Sequence, residues 1–211
     1  DFFSWHTYTS NPWIFWENAK EVRELLNQNG YENTKSILDE WNYVESWSDL
    51  TGTAEVIHSP AGAAFIVASL ITLQKSPVDH AMYYDSQYAL ADLWCGLYNS
   101  DGQTEPGYYA FAFYNQLYQM GQQVRMDEGL EYFYCCAATG EKNGILMANF
   151  NLAENAQSVM IRLTAKSGGE HAVITRINDK YPNGITTEEK WLHNHTVLKI
   201  KPGEVIFIEI Y

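Results

Sequence analysis

Ser36-Ile-Leu-Asp-Glu-Trp-Asn42 decides how the rest of the chain is read. It follows a helical pattern that stops at Gly30-Tyr31. From Lys35 to Leu38 it has the character of a short buried strand, and it then delivers a carboxylate, Glu40, and an indole, Trp41. Parallel α/β architectures carry their ligands at the carboxyl ends of such strands. The same arrangement recurs on both sides, in Phe2-Phe-Ser-Trp-His-Thr-Tyr8 before it and Ala81-Met-Tyr-Tyr-Asp-Ser-Gln87 after it. Three strands thus end in polar and aromatic groups. Because neighbouring strand residues face opposite sides, Asp39 is expected to point away from the side that Glu40 faces.

The connections fit this reading. Asn11-Pro12 opens a helix with an apolar stripe at Ala19, Val22, Leu25 and Leu26, and Gly30 ends it. Asn42 to Thr53 is a polar and aromatic loop too long for a mere connector, and it holds Glu45 and Trp47 in an expected mobile rim. Ser59-Pro60 starts a second helix whose run from Ala61 to Leu73 is apolar on most faces, so it is expected to lie buried against a sheet. A third helix spans about Gly107 to Met120. Strand and helix alternating in this way predict a parallel sheet with helices outside it.

The texture changes near Gly121. Short runs at 132–138, 144–149, 158–163, 171–177, 197–200 and 205–211 alternate or are apolar, and turn signals separate them, predicting an all-β sandwich. The expected division is 1–124 and 125–211. His193 and His195 flank Asn194 in an expected hairpin. With no Cys or acidic partner nearby they read as surface histidines rather than a metal site. Asn194-His195-Thr196 is a formal glycosylation triplet.

Composition narrows the function. With 13 Lys plus Arg against 26 Asp plus Glu the formal charge is −13, which disfavours nucleic acid and anionic membrane surfaces as partners. Aromatic residues make up 15% of the chain, a content suited to stacking on sugar faces as well as to core packing. Cys95, Cys135 and Cys136 form no C-x-x-C pair and read as buried thiols. No apolar run reaches the length of a membrane span. The chain begins at Asp1 without Met and is taken as a fragment or processed product, which leaves its compartment open, secreted or periplasmic included.

Asp1 to Tyr8, the helix ending in Val22-Arg-Glu-Leu-Leu26 and Gly30, and Leu38-Asp-Glu-Trp-Asn42 together resemble the back half of a clan A glycoside hydrolase. The nearest resemblance is to glycoside hydrolase family 39, the β-xylosidase and α-iduronidase type. It implies an α/β plus all-β chain, with the last three β/α units of a (β/α)8 TIM barrel, strands 6 to 8, followed by a C-terminal β-sandwich. It implies Glu40 as the nucleophile of a retaining mechanism on β-linked glycans. His6 and Tyr8 would line the sugar subsite, Trp41 and Asn42 would position the nucleophile or the sugar, and no cofactor is implied. Retaining hydrolysis needs two carboxyls about 5 Å apart, and the family's acid/base lies in an Asn-Glu-Pro motif on the fourth strand, ahead of this chain. Thr104-Glu105-Pro106 follows the eighth strand and does not substitute for it.

Where the family places a Trp beneath the sugar, this sequence has Tyr83-Tyr84-Asp85-Ser86, so Asp85 and Trp94 are the candidate substrate contacts there. The expected partners are an oligo- or polysaccharide and either the missing barrel portion or another copy of the chain, since three strands leave open edges. A non-catalytic carbohydrate-binding or structural role is the alternative.

Overall fold

The structure is a computed structural model describing residues 1–86, 95–126, 130–165, 169–180, 185–194 and 196–211. Three parallel strands stand side by side in chain order: β1 (Phe2–Tyr8), β2 (Lys35–Asn42) and β3 (His80–Tyr83). Helix α1 (Trp13–Gln28) joins the first two. Pro12 at its N-cap has its φ fixed at a helical value, and Phe15 and Ala19, one turn apart, bury the face that meets the sheet. Gly30 takes a φ of +82° just beyond its end, a conformation that costs glycine little.

Two helices join β2 to β3. Helix α2 (Leu50–Ile57) was not expected; it shortens the long loop to 43–49, with Asp49 capping it by accepting from the Gly52 N–H at 2.9 Å. Helix α3 (Pro60–Gln74) starts as expected, with the Ser59 hydroxyl accepting from the Ala61 N–H at 3.1 Å. Its small residues at the start have a steric cause. A methyl group on Gly62 would lie 2.3 Å from the Ile57 carbonyl oxygen, where α2 turns into α3. From Gly62 to Leu73 this helix is buried at almost every position, as its apolar composition requires. No single described helix is long and apolar enough to cross a membrane.

Helix α4 (Pro106–Met120) packs beside α3, and together they cover one face of a six-stranded antiparallel sheet. That sheet contains β4 (Gln122–Val124), β5 (Phe133–Thr139), β6 (Asn143–Asn149), β8 (Glu170–Ile177), β9 (Ile185–Leu192) and β11 (Val205–Ile210), in the order β4-β5-β6-β11-β8-β9. Its other face is covered by a two-stranded ladder of β7 (Val159–Leu163) and β10 (Thr196–Ile200). The stretch Val205-Ile-Phe-Ile208 is apolar throughout because both faces are buried. Val205 and Phe207 enter the core shared with α3 and α4, whereas Ile206 and Ile208 enter the core beneath β7 and β10. Phe113 of α4 stacks on Phe207 at 5.1 Å.

The first core runs without a break from Phe15 and Trp41 through Phe65 and Ile66 to Leu146 and Phe207, so the sheet is not packed as a free-standing unit. Strand β4 pairs antiparallel with β5 at one edge of that sheet. Strands β4 and β9 were not expected, and the exposed run from Thr187 to Trp191 explains why β9 gave no apolar signal. Because β9 pairs with β8 and β10 with β7, His193 and Asn194 lie on a crossover between layers rather than in the expected hairpin. His195, and with it the complete glycosylation triplet, is outside the described residues.

The three cysteines are free thiols, and burial pushes Cys95 and Cys136 up to about 12 and Cys135 up to about 11. A thiol whose folded value lies above the unfolded value of about 8.5 stabilises the fold fully below that pH, and the contribution disappears as pH rises through the folded value. Urea unfolding midpoints are therefore expected to decline steadily between about pH 8.5 and pH 12. A flat profile across that window would contradict the burial of these groups.

Candidate active site

Strands β1 and β2 pair in simple register from Phe2 with Lys35 to Trp5 with Leu38, and then the register shifts so that His6 faces Glu40. Asp39 is the extra residue. An inserted residue interrupts the two-residue alternation of a strand. Leu38 and Trp41, three positions apart, consequently both enter the core, and Asp39 is not turned away from the site as strict alternation predicted.

His6 lies between the two carboxylates. Its Nε2 is 3.2 Å from Asp39 Oδ1 and its Nδ1 is 3.3 Å from Glu40 Oε2. The Tyr8 hydroxyl donates to the same Glu40 Oε2 at 2.7 Å. Burial, and then the carboxylate of Glu40, push the Tyr8 hydroxyl well above its usual value, so it keeps its proton and remains a donor. These contacts all fall on Oε2 of the carboxylate. The Glu40 side chain is 32% exposed and His6 is 50% exposed, on the side of the sheet opposite the helices that cover Trp41. His6, Tyr8 and Glu40 are thus brought together.

Trp41 and Asn42 lie buried behind the end of β2, so neither offers a surface to a sugar. Trp41 is 1% exposed, edge-on to Phe15 and Tyr83 at 5.5 and 5.1 Å and near Phe111 at 6.2 Å. It is a core residue behind Glu40, not a surface for sugar, because the register shift puts it on the helix side. Asn42 is also buried. Its side-chain amide donates to the Tyr84 carbonyl at 2.7 Å and its oxygen accepts from the Tyr43 N–H at 2.6 Å, which ties the carboxyl ends of β2 and β3 together.

Asp85 is half-buried just past β3 and accepts from the Cys95 thiol at 3.6 Å. Trp94 lies outside the described residues. Among the described residues no group of three or more His, Cys, Asp or Glu side chains converges as a metal site.

One residue that sequence reasoning left at the rim joins the site. Trp47 meets Tyr8 edge to face, with ring centroids 5.2 Å apart. Hydrogen bonds connect its loop to the segment after β1 and within itself. The Thr9 N–H donates to the Asn42 carbonyl at 3.3 Å, the Val44 N–H donates to the Thr9 carbonyl at 3.4 Å, and the Ser46 and Ser48 hydroxyls are bonded at 2.7 Å. Glu45 is held by the Tyr43 hydroxyl at 3.1 Å. The signal in the sequence was the unusual length of the loop and its single Trp between two serines.

No protein-family profile matches the chain, and no curated protein sequence does either. Solved structures do match it. A glucosidase from Croceicoccus marinus superposes with a TM-score of 0.74 at 19% identity, over 100% of this chain and 53% of that one. A monomeric β-xylosidase from Caulobacter crescentus gives 0.66 at 17% identity, over 95% and 50%. An α-L-arabinofuranosidase from Thermotoga maritima gives 0.66 at 18% identity, over 99% and 52%. At these identities the likeness is one of fold. The chain spans about half the length of the glycoside hydrolases it resembles, and its mixed α/β fold is that of this portion of them.

Proposed function

We propose that this chain is the nucleophile-bearing part of a retaining glycoside hydrolase acting on β-linked glycans. It would contribute the last three β/α units of a (β/α)8 barrel and a C-terminal β-sandwich, in a clan A enzyme closest to family 39. One observation carries the reading: Glu40 stands partly exposed at the end of a parallel strand, with Oε2 held by Tyr8 and His6. In this reading Oε1 attacks the anomeric carbon as the bond to the leaving oxygen breaks, giving a glycosyl ester. Water then attacks that carbon and restores the free carboxylate.

In this reading the acid that protonates the leaving oxygen would be supplied from outside this chain. Asp39 does not fill that role, since it adjoins Glu40 and touches the same imidazole instead of facing it across a sugar. The remaining barrel strands, from a longer polypeptide or from another copy, would cover Phe2, Phe3 and Met82, large apolar side chains left exposed on β1 and β3.

A dinitrophenyl 2-deoxy-2-fluoro-β-xyloside tests the reading, because its leaving group departs without protonation. The expected result is a mass increase of one fluoroxylosyl group, mapped by peptide sequencing to Glu40. Labelling of a different carboxylate, or none, would overturn the assignment.

A further inference from the structure

We infer that Asp39 is a positioning residue: it pairs with Nε2 of His6 and thereby keeps Nδ1 of the same ring turned onto Glu40. The inference rests on the active-site reading above and deepens it, since it names what holds the ring that touches the candidate nucleophile.

Two observations carry it. The first lies in the backbone. Trp5 pairs with Leu38 and His6 with Glu40, so Asp39 is passed over in the ladder, and two consecutive carboxylates meet one imidazole. Strict alternation would have sent them to opposite faces of the sheet. Inserted residues of this kind re-aim side chains beside active sites. The second observation is burial. Asp39 Oδ1 is sealed from solvent and has no well-aligned hydrogen-bond donor among the described residues, while His6 Nε2 lies 3.2 Å away, at ion-pairing distance. A carboxylate oxygen taken out of water is costly without a partner. The half-exposed imidazole is therefore held at this end, which leaves Nδ1 3.3 Å from Glu40 Oε2. Carboxylates only accept, so the ring bonds both when each nitrogen carries a proton. Without Asp39 the ring is free to turn about its Cβ–Cγ bond, and its hold on Glu40 slackens.

The rate at which the dinitrophenyl fluoroxyloside labels Glu40 provides the test, measured in Asp39→Ala, His6→Phe and the double variant. Asp39→Ala is expected to slow labelling at saturation by about tenfold or more, the scale of a slightly misplaced reacting group, while the half-saturating concentration stays within about threefold. Because Asp39 acts through His6, the double variant is expected to label within about twofold of His6→Phe alone. Equal thermal midpoints would show that folding is not the cause. Labelling by Asp39→Ala within about twofold of the parent, or losses that multiply in the double variant, would overturn the role. A crystal structure of Asp39→Ala reads the ring without reference to activity: Nδ1 is expected to leave Glu40, and an unmoved ring would overturn the inference. A ring that turns in protein the fluoroxyloside never labels keeps the pairing and ends the nucleophile reading, whereas labelling at Glu40 with the ring unmoved does the reverse.

Discussion

On the proposed reading, replacing Glu40 by Gln is expected to lower turnover of an aryl β-xyloside by about 10⁴-fold or more, the scale seen when a covalent nucleophile is removed. The substitution is nearly isosteric, and its amide oxygen still accepts from the Tyr8 hydroxyl that now bonds Oε2 at 2.7 Å. The loss therefore reports chemistry and not collapse of the site. An amide cannot form the glycosyl ester through which a retaining enzyme passes. Glu40→Ala should behave alike with water but recover partly with azide, which enters the space of the missing carboxylate and attacks the anomeric carbon from the same side. The product would be a glycosyl azide of inverted configuration, identified by the coupling constant of its anomeric proton. Turnover by Glu40→Gln within tenfold of the parent, or azide product of retained configuration, would end the case for this residue as nucleophile.

Much of what places Glu40 was legible in the sequence because it depends on local chemistry. Pro12 and Ser59-Pro60 open their helices, Gly30 lies just past the end of α1, and the apolar run after Ser59 has to be buried. The features that were not legible depend on neighbours distant in the chain. The register shift opposite His6 arises from how β1 and β2 pair, and neither strand alone contains a sign of it. It moved Asp39 towards the site and Trp41 into the core. Strand β9 was missed because β8 and the turn into β10 hold it, while its own residues from Thr187 to Trp191 face solvent. Trp47 was visible as a residue but not as a neighbour of Tyr8, since 39 positions of chain separate them.

Trp41→Ala is expected to destabilise the protein by about 3–5 kcal/mol, as removal of a large buried aromatic ring does when the surroundings relax only in part. The ring is enclosed by Phe15 of α1, Tyr83 of β3 and Phe111 of α4, so its loss leaves a cavity where three elements meet. Trp41→Phe should cost much less. The indole Nε1 is buried without a hydrogen-bond partner among the described residues, and a phenyl ring removes that polar atom while keeping most of the volume. Urea unfolding followed by far-ultraviolet circular dichroism gives both values, with an unchanged slope showing that the midpoint shift reports stability. Trp41→Ala also releases the strand residue next to Glu40, so fluoroxyloside labelling should slow at urea concentrations well below the unfolding transition. A sugar-contacting Trp would give the opposite pattern, with weak binding and a midpoint close to that of the parent. A stability loss below about 1 kcal/mol for Trp41→Ala would mean that this side chain is not the wedge between sheet and helices on which the position of Glu40 depends.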